Sequence, residues 1–408
     1  LSRKRLSFRL KILVMTYVVI TFRILLNAYI FIVEINYIIL GYCSKIYNVI
    51  IYIMVFFMLI GAIDRIFNNR FGYGKKFEDG IMTMGTLALA MLGIISFSPV
   101  ISSFLKPIIS PFYRIIGADP AMFAGTILAS DMGGYILSQE LALTHDSAMF
   151  SGLFLSATMG TTLSFSIPVA LGIVDRADEK YISKGILAGI STIPLGCFVG
   201  GVIAGFQIKL LFLNLIPIIA FTFLICWALL KFPKEIAKGF FLFGKFMFIL
   251  TTIGLALQIL ETLTGVVVIK GMLPIMEGVK TVGSIAITLA GAFPMLYFVT
   301  TVFTKPLTAI GKMFRINEKS TAGLIACLAH NIPMFNILKE MDERGKLLNI
   351  AFSVSGAFVL GSHLGFTAGI DKDLVFPVII TKLVGGVSSM FVANYIYNKE
   401  FKHKKPLN

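Results

Sequence analysis

Eleven apolar runs follow one another along this chain, near residues 47–63, 81–104, 120–142, 147–174, 184–206, 210–230, 240–260, 279–303, 320–338, 347–369 and 374–397. Most are long enough to cross a bilayer as a helix. A segment inside a membrane must satisfy its own backbone hydrogen bonds. The runs therefore predict α-helices and leave no room for a sheet or a soluble domain. The expected fold class is an all-α polytopic membrane protein.

Two of the runs are broken in the middle by polar residues. The first, PAMFAGTILASDMGGYILSQELA, breaks at Ser130-Asp131-Met132-Gly133-Gly134. The second, EKSTAGLIACLAHNIPMFNILKE, breaks at Ala329-His330-Asn331-Ile332-Pro333. The run after each is interrupted too, at Gly160-Thr161-Thr162 and at Gly361-Ser362-His363. Paired apolar segments interrupted by Gly or Pro point to a transporter binding site.

The pairing extends further. Thr83, Gly85, Ala88 and Gly93 match Thr281, Gly283, Ala286 and Gly291 at a constant offset. Lys106-Pro107 matches Lys305-Pro306, Ala124-Gly125 matches Ala322-Gly323, and Lys184 matches Lys382. Gly160 with Phe165 matches Gly361 with Phe366. Small residues recur in membrane helices for packing alone, but packing does not impose a fixed spacing. The chain thus reads as repeat 1 over 45–206, a linking helix and cytoplasmic loop over 207–239, repeat 2 over 240–398, and a basic cytoplasmic tail over 399–408.

Loop charge selects the topology. If all eleven runs span, Lys and Arg divide almost evenly between the two sides, against the positive-inside rule. If the two broken runs enter and leave on one side, most Lys and Arg collect in 64–80, 175–184, 231–245, 304–319, 339–346 and the tail. Nine runs then span and the carboxyl end is cytoplasmic. Each repeat holds four spanning helices and a re-entrant broken segment, and an odd number of crossings inverts one repeat against the other. The tips, Asp131 and Asn331, are expected to meet near the membrane centre.

Composition narrows the alternatives. The chain is 57% hydrophobic and 14% charged, with 37 Phe and 37 Gly, and its mean hydropathy is +0.88. The formal charge of +15 sits in short loops, which argues for a lipid bilayer as partner and against nucleic acid. Cys43, Cys197, Cys226 and Cys327 form no C-x-x-C or zinc pattern, and no phosphate-binding loop is present. No cofactor, metal site or catalytic residue is implied. Residues 1–44 hold a single Ala and a single Gly and are strongly basic, unlike the rest. They read as an upstream, dispensable extension, or as one extra helix near 11–33.

Candidate chemistry gathers at the breaks. Asp131 in an apolar run costs ~2.5–3.5 kcal/mol unless paired or hydrated. It would bind a cation, or else pair with a buried base or cap a half-helix. Ser130 stands beside it, and Gly133 and Gly134 would free the turn and its carbonyls. Asn331 offers a donor and an acceptor. His330 would line a site or only bond backbone. Thr161, Ser362 and His363 would line the site, or the hydroxyls of Thr161 and Ser362 would bond a carbonyl one turn back. Lys382 either snorkels or pairs with an acid such as Asp131. For Asp64, Glu140 and Glu261, near helix ends, ordinary hydration is expected. The segments 107–117 and 305–317 read as amphipathic surface pieces.

The stretches IIYIMVFFMLIGAIDRI, GADPAMFAGTILASDMGGY, SIPVALGI, AHNIPMFNILKEMDERGK and GSHLGFTAG resemble the ethanolamine-utilisation membrane protein family, from about Lys45 to the end. The resemblance implies a permease of the bacterial cytoplasmic membrane that brings in ethanolamine. It also implies two departures: relatives commonly carry Asp where Ser362 stands and Asn where His330 stands. Ethanolamine is a primary amine and largely protonated at neutral pH. Asp131 would be its counter-charge, and Asn331 and Thr161 would meet its hydroxyl. A transporter of another small amine or nucleoside-like solute keeps the same architecture, as does a scaffold or sensor that moves nothing. Assembly as a homo-oligomer is compatible with each.

Overall fold

The computed structural model describes residues 49–302 and 311–400. The expectations for residues 1–44, Cys43, 305–310 and 401–408 lie outside them. All eleven apolar runs appear as helical segments. Eight are helices long and apolar enough to cross a membrane: α1 (Val49–Ile66), α2 (Tyr73–Ile115), α5 (His145–Ile173), α6 (Glu179–Ile203), α7 (Ile208–Lys231), α8 (Pro233–Thr264), α9 (Ile275–Val302) and α14 (Val375–Glu400). The protein is a multi-pass membrane protein, and no strand occurs among the described residues.

The other three runs are broken helices. The first comprises α3 (Ala121–Ile127), a 3₁₀ turn over Ser130–Met132, and α4 (Gly134–Leu141). The second comprises α10 (Glu318–Ala329) and α11 (Asn331–Asn336). The third comprises α12 (Glu343–Gly356) and α13 (Ser362–Ile370).

Polar side chains fasten the first two at their ends. Asp119 accepts the Ala121 N–H at 2.9 Å at the start of α3 and the Leu143 N–H at 3.0 Å beyond the end of α4. Asn317 caps α10 by accepting the Ser320 N–H at 2.8 Å, and donates to the Glu340 carbonyl at 3.2 Å. In each case one side chain ties the beginning of a broken run to its close.

Helices that the sequence pairs also pack together: α2 lies along α9, and α6 along α14. Glycines set the close approach. A Cβ at Gly80 would strike the backbone of Leu289 and Ala290, and one at Gly200 would strike Thr381. Small residues are what membrane helices use to meet, because hydrocarbon gives apolar side chains no drive to associate.

Three expectations need correction. Residues 107–115 are no separate surface piece but continue α2, a helix of 43 residues containing Pro99, Pro107 and Pro111. Asp64 is not simply hydrated: it is 4% exposed and accepts the N–H groups of Phe71 and Gly74 at 2.9 and 2.8 Å, closing the α1–α2 turn. Gly160 does not interrupt its helix. α5 runs through it, wound as a π-helix over Phe150–Gly160 and again over Thr162–Ser166. Hydroxyls support the wider turn, since Thr161 Oγ1 donates to the Ser156 carbonyl at 2.7 Å and Ser164 Oγ to that of Gly160 at 2.8 Å. Such π segments are frequent at functional sites.

Candidate functional site

Both broken runs open onto one cavity of about 630 Å³. Asp131 and Met132 come from the first break, Ala329 and His330 from the second. Thr161 and Phe165 of π-wound α5 add to the wall, as do Phe358, Ser362 and His363 around the break between α12 and α13. α2 and α9 complete it, with Lys76 and Asp79 near the start of α2 and Tyr297 and Thr300 near the end of α9. At roughly 30 Å³ per water, the space holds a small solute together with many waters.

The sequence pointed to nine residues. Asp131, Thr161, His330, Ser362 and His363 line the cavity. Ser130, Gly133, Gly134 and Asn331 are not among its lining residues. Ser130 is 2% exposed, and its Oγ has no partner among the described residues. Gly133 has φ 93°, a left-handed conformation that a side chain resists. A Cβ at Gly134 would run into the Leu128 carbonyl oxygen. Asn331 is fully buried and donates from Nδ2 to Ser166 Oγ at 2.8 Å, tying the second break to α5. His330, one residue earlier, lines the cavity.

His330 both bonds backbone and faces the cavity. Its Nδ1 accepts the Ile332 N–H at 3.1 Å, capping α11, while the ring lines the cavity. With Nδ1 accepting, the neutral ring carries its proton on Nε2. Lys382 fulfils neither of its roles. It is 1% exposed, so it does not snorkel, and its Nζ donates to the Ala157 carbonyl at 2.5 Å. No ion pair joins it to a carboxylate among the described residues.

Two carboxylates line the cavity. Asp79 pairs with Lys76 at 2.9 Å and with Lys75 at 3.6 Å. Asp131 has no ion-pair partner among the described residues, and it opens on the cavity. Acids inside membrane spans are rare and usually face the bundle interior or a water-filled cavity.

The aromatic wall is what sequence reading missed. Phe358 touches His330, His363 and Phe165, with ring centroids 4.5, 4.9 and 5.8 Å apart. Phe165 also meets His330 at 5.8 Å. Ring faces attract ammonium groups, so the cavity joins a free carboxylate to an aromatic surface. The only sequence signal was Phe165, noted as a repeat position. Nothing marked Phe358.

Glycines hold the breaks against this wall. A Cβ at Gly160 would run into the carbonyl oxygen of Leu128, and one at Gly361 into that of Ala329. A Cβ at Gly125 would strike Ser151, and one at Gly323 would strike Asn349.

Fold and cavity together define a multi-pass membrane protein with a largely apolar, aromatic-walled chamber, built on broken helices and lined by the Asp131 carboxylate. Residues 46–396 match the profile of the family described as "Ethanolamine utilisation protein, EutH". The chain belongs to that family. It is 53% identical over 358 residues to "Probable ethanolamine permease EutH" of Listeria monocytogenes, covering 88% of this chain and 96% of the relative. It is 48% identical to "Uncharacterized protein YxeR" of Bacillus subtilis, covering 86% and 94%. It is 44% identical to "Probable ethanolamine permease EutH" of Escherichia coli, covering 86% and 96%. No solved structure matches the chain.

Proposed function

We propose that this protein is a permease that carries protonated ethanolamine across the bacterial cytoplasmic membrane. The observation that carries the reading is Asp131, an unpaired carboxylate facing a chamber walled by Phe165, Phe358, His330 and Tyr297. An ammonium crosses hydrocarbon poorly and needs a counter-charge at depth. Asp131 supplies it, and the rings add cation–π attraction of about 0.5–2 kcal/mol. The hydroxyl end meets Thr161, Ser362 or His330. The names of the relatives from Listeria and Escherichia agree with this cargo.

The architecture behind the reading is two inverted repeats, 45–206 and 240–398, each with four spanning helices and a re-entrant segment. Two sets of contacts support it. Asp119 and Asn317 each join the start of a broken run to its close, as a hairpin entering and leaving on one side requires. Gly160 and Gly361 each abut the carbonyl that ends a half-helix, Leu128 in one repeat and Ala329 in the other. A mouth of the chamber on the basic, cytoplasmic side is supported by Lys76, Asp79 and Thr300, cavity residues next to loops rich in Lys and Arg.

Uptake of labelled ethanolamine into proteoliposomes tests this. Mildly acidic medium keeps the leak of neutral amine small. Protein-dependent uptake is expected, together with its loss in Asp131→Asn, which keeps size and one acceptor but not charge. Normal uptake by that variant would move the cation site elsewhere.

A further inference from the structure

The threonine hydroxyls of the chamber wall have a fixed polarity. Thr83 Oγ1 donates to the Asp79 carbonyl at 2.7 Å, Thr86 to that of Thr83 at 2.8 Å, Thr161 to that of Ser156 at 2.7 Å and Thr300 to that of Leu296 at 2.9 Å. Each of the four lines the cavity with its proton already committed to its own helix. A hydroxyl has one proton and two lone pairs. Toward a solute these groups are therefore acceptors, as are the carboxylates of Asp79 and Asp131.

His330 has the opposite polarity. Its Nδ1 accepts the Ile332 N–H at 3.1 Å, so the proton of the neutral ring is on Nε2. With Nδ1 occupied at the backbone, Nε2–H is the polar group that His330 has left for the chamber. It has no hydrogen-bond partner among the described residues. Other donors of the wall are placed differently. Lys76 and Tyr297 stand near the mouth, where Lys76 pairs with Asp79. Ser362 carries a hydroxyl that can turn either way.

A chain of contacts joins this donor to Thr161. The rings of His330 and Phe358 lie 4.5 Å apart, and those of Phe358 and His363 4.9 Å apart. His363 Nε2 is 3.5 Å from Thr161 Oγ1. Phe165, which follows Thr161 along α5, meets both His330 and Phe358 at 5.8 Å. All five residues line the cavity. The second break thus presents a fixed donor, and α5 a fixed acceptor, around the same aromatic rings. His363 takes at most one of the two lone pairs of Thr161 Oγ1 and leaves the other to the chamber.

We propose that His330 and Thr161 form a subsite that reads the substrate's hydroxyl: His330 Nε2–H donates to the alcohol oxygen, and Thr161 Oγ1 accepts the alcohol proton. This deepens the permease reading and rests on it for the cargo. An alcohol accepts and donates through one oxygen. A methyl group in its place leaves both protein groups without a partner. An ether serves His330 alone, and a second ammonium serves Thr161 alone. The subsite therefore selects amino alcohols from plain primary amines, and His330, the fixed donor, is its specificity-determining residue. Two hydrogen bonds correspond to a preference of roughly 5- to 150-fold.

The test uses the full chain and three primary amines: ethanolamine, propylamine and 2-methoxyethylamine. Binding is read as thermal stabilisation in detergent across a range of concentrations. Uptake of labelled ethanolamine into proteoliposomes is read separately. The wild type is expected to bind ethanolamine roughly 5- to 150-fold more tightly than propylamine, with 2-methoxyethylamine between them. His330→Ser keeps an oxygen that can cap α11, and His330→Phe keeps a ring against Phe358. Both lack the Nε2–H donor. Each is expected to lower the preference roughly 2- to 13-fold and to bind propylamine as the wild type does. Equal wild-type affinities for ethanolamine and propylamine would overturn the subsite, and this needs no variant to fold. So would an unchanged preference in either variant, the result if His330 only supports the fold and both amines weaken alike. Selective binding without protein-dependent uptake would remove the permease and keep the subsite. Uptake without hydroxyl preference would do the reverse, and no binding of ethanolamine at all would overturn both.

Discussion

Phe358 donates its backbone N–H to the carbonyl of Cys327 at 3.1 Å, and so joins the break after α12 to the broken run before it. The residue sits there at a φ of 63°, a region that bulky side chains avoid at a cost of ~1–3 kcal/mol. Leu360 repeats the link, donating to Leu328 at 2.9 Å. The strained backbone is held from outside and points its ring at His330 and His363.

That ring should matter for affinity more than for folding. Phe358→Leu keeps most of the apolar volume and removes the ring face. Loss of about 0.5–2 kcal/mol of cation–π attraction corresponds to a roughly 2- to 30-fold rise in the KM for ethanolamine. Uptake kinetics at saturating substrate separate this from misfolding, since the maximal rate is expected to hold. An unchanged KM would remove Phe358 from the substrate's surroundings.

Gly160 should tolerate nothing larger. A Cβ there would run into the Leu128 carbonyl, so Gly160→Ala forces α5 away from the first break. Overpacking of this kind costs typically ~1–3 kcal/mol, read as a lower melting midpoint in detergent. Gly172, further along α5, has nothing within 4 Å of the equivalent position. Gly172→Ala is the control and should melt with the wild type. Equal melting of both variants would show that the close approach at Gly160 is not required.

Asn331 bonds α5 and is not among the residues lining the cavity, so its loss should appear in stability. Asn331→Ala removes the 2.8 Å bond to Ser166 and strands a buried hydroxyl. The expected cost is about 1–3 kcal/mol, with KM close to wild type. A large rise in KM with unchanged melting would return Asn331 to the binding site.

Ser362 lines the cavity and is only partly buried, so it can be charged without burying an ion. Ser362→Asp is expected to lower the KM for ethanolamine by supplying a second carboxylate. It should also steepen the loss of uptake with added salt. No change in either would mean that position 362 does not face the ammonium.

How much of this was legible beforehand depends on the residue. The eleven runs and both breaks could be read because a bilayer demands long apolar stretches and makes polar interruptions conspicuous. Asp131 was legible for the same reason: nothing in an apolar run hides a carboxylate. The split between His330 and Asn331 was not. Adjacent residues at a break point in different directions, and only the His330–Ile332 cap fixes which one turns to the chamber. Phe358 was invisible because one more Phe among 37 carries no signal, and its effect comes from a backbone angle. Lys382 could be noticed but not placed, since a flexible side chain reaches snorkelling, pairing and carbonyl-bound positions alike. Asp64 looked like any acid at a helix end until the folded turn brought Phe71 and Gly74 to it.

The seam between α2 and α8 has a consequence for handling the protein. Gly93 and Gly254 bring the two backbones together so closely that a Cβ on either would strike the other helix. Around that seam α8 shows Phe241, Leu242, Phe246, Phe248, Ile249 and Ile253 outward. Acyl chains are as apolar as these side chains, so lipid neither drives the helix inward nor draws it away. What holds it is fit along a narrow strip, and lipid pressing on the remaining face is a structural component in its own right. Replacing that lipid with short-chain detergent removes one wall of the helix's seat, and α8 is the span whose amides should exchange with deuterium first.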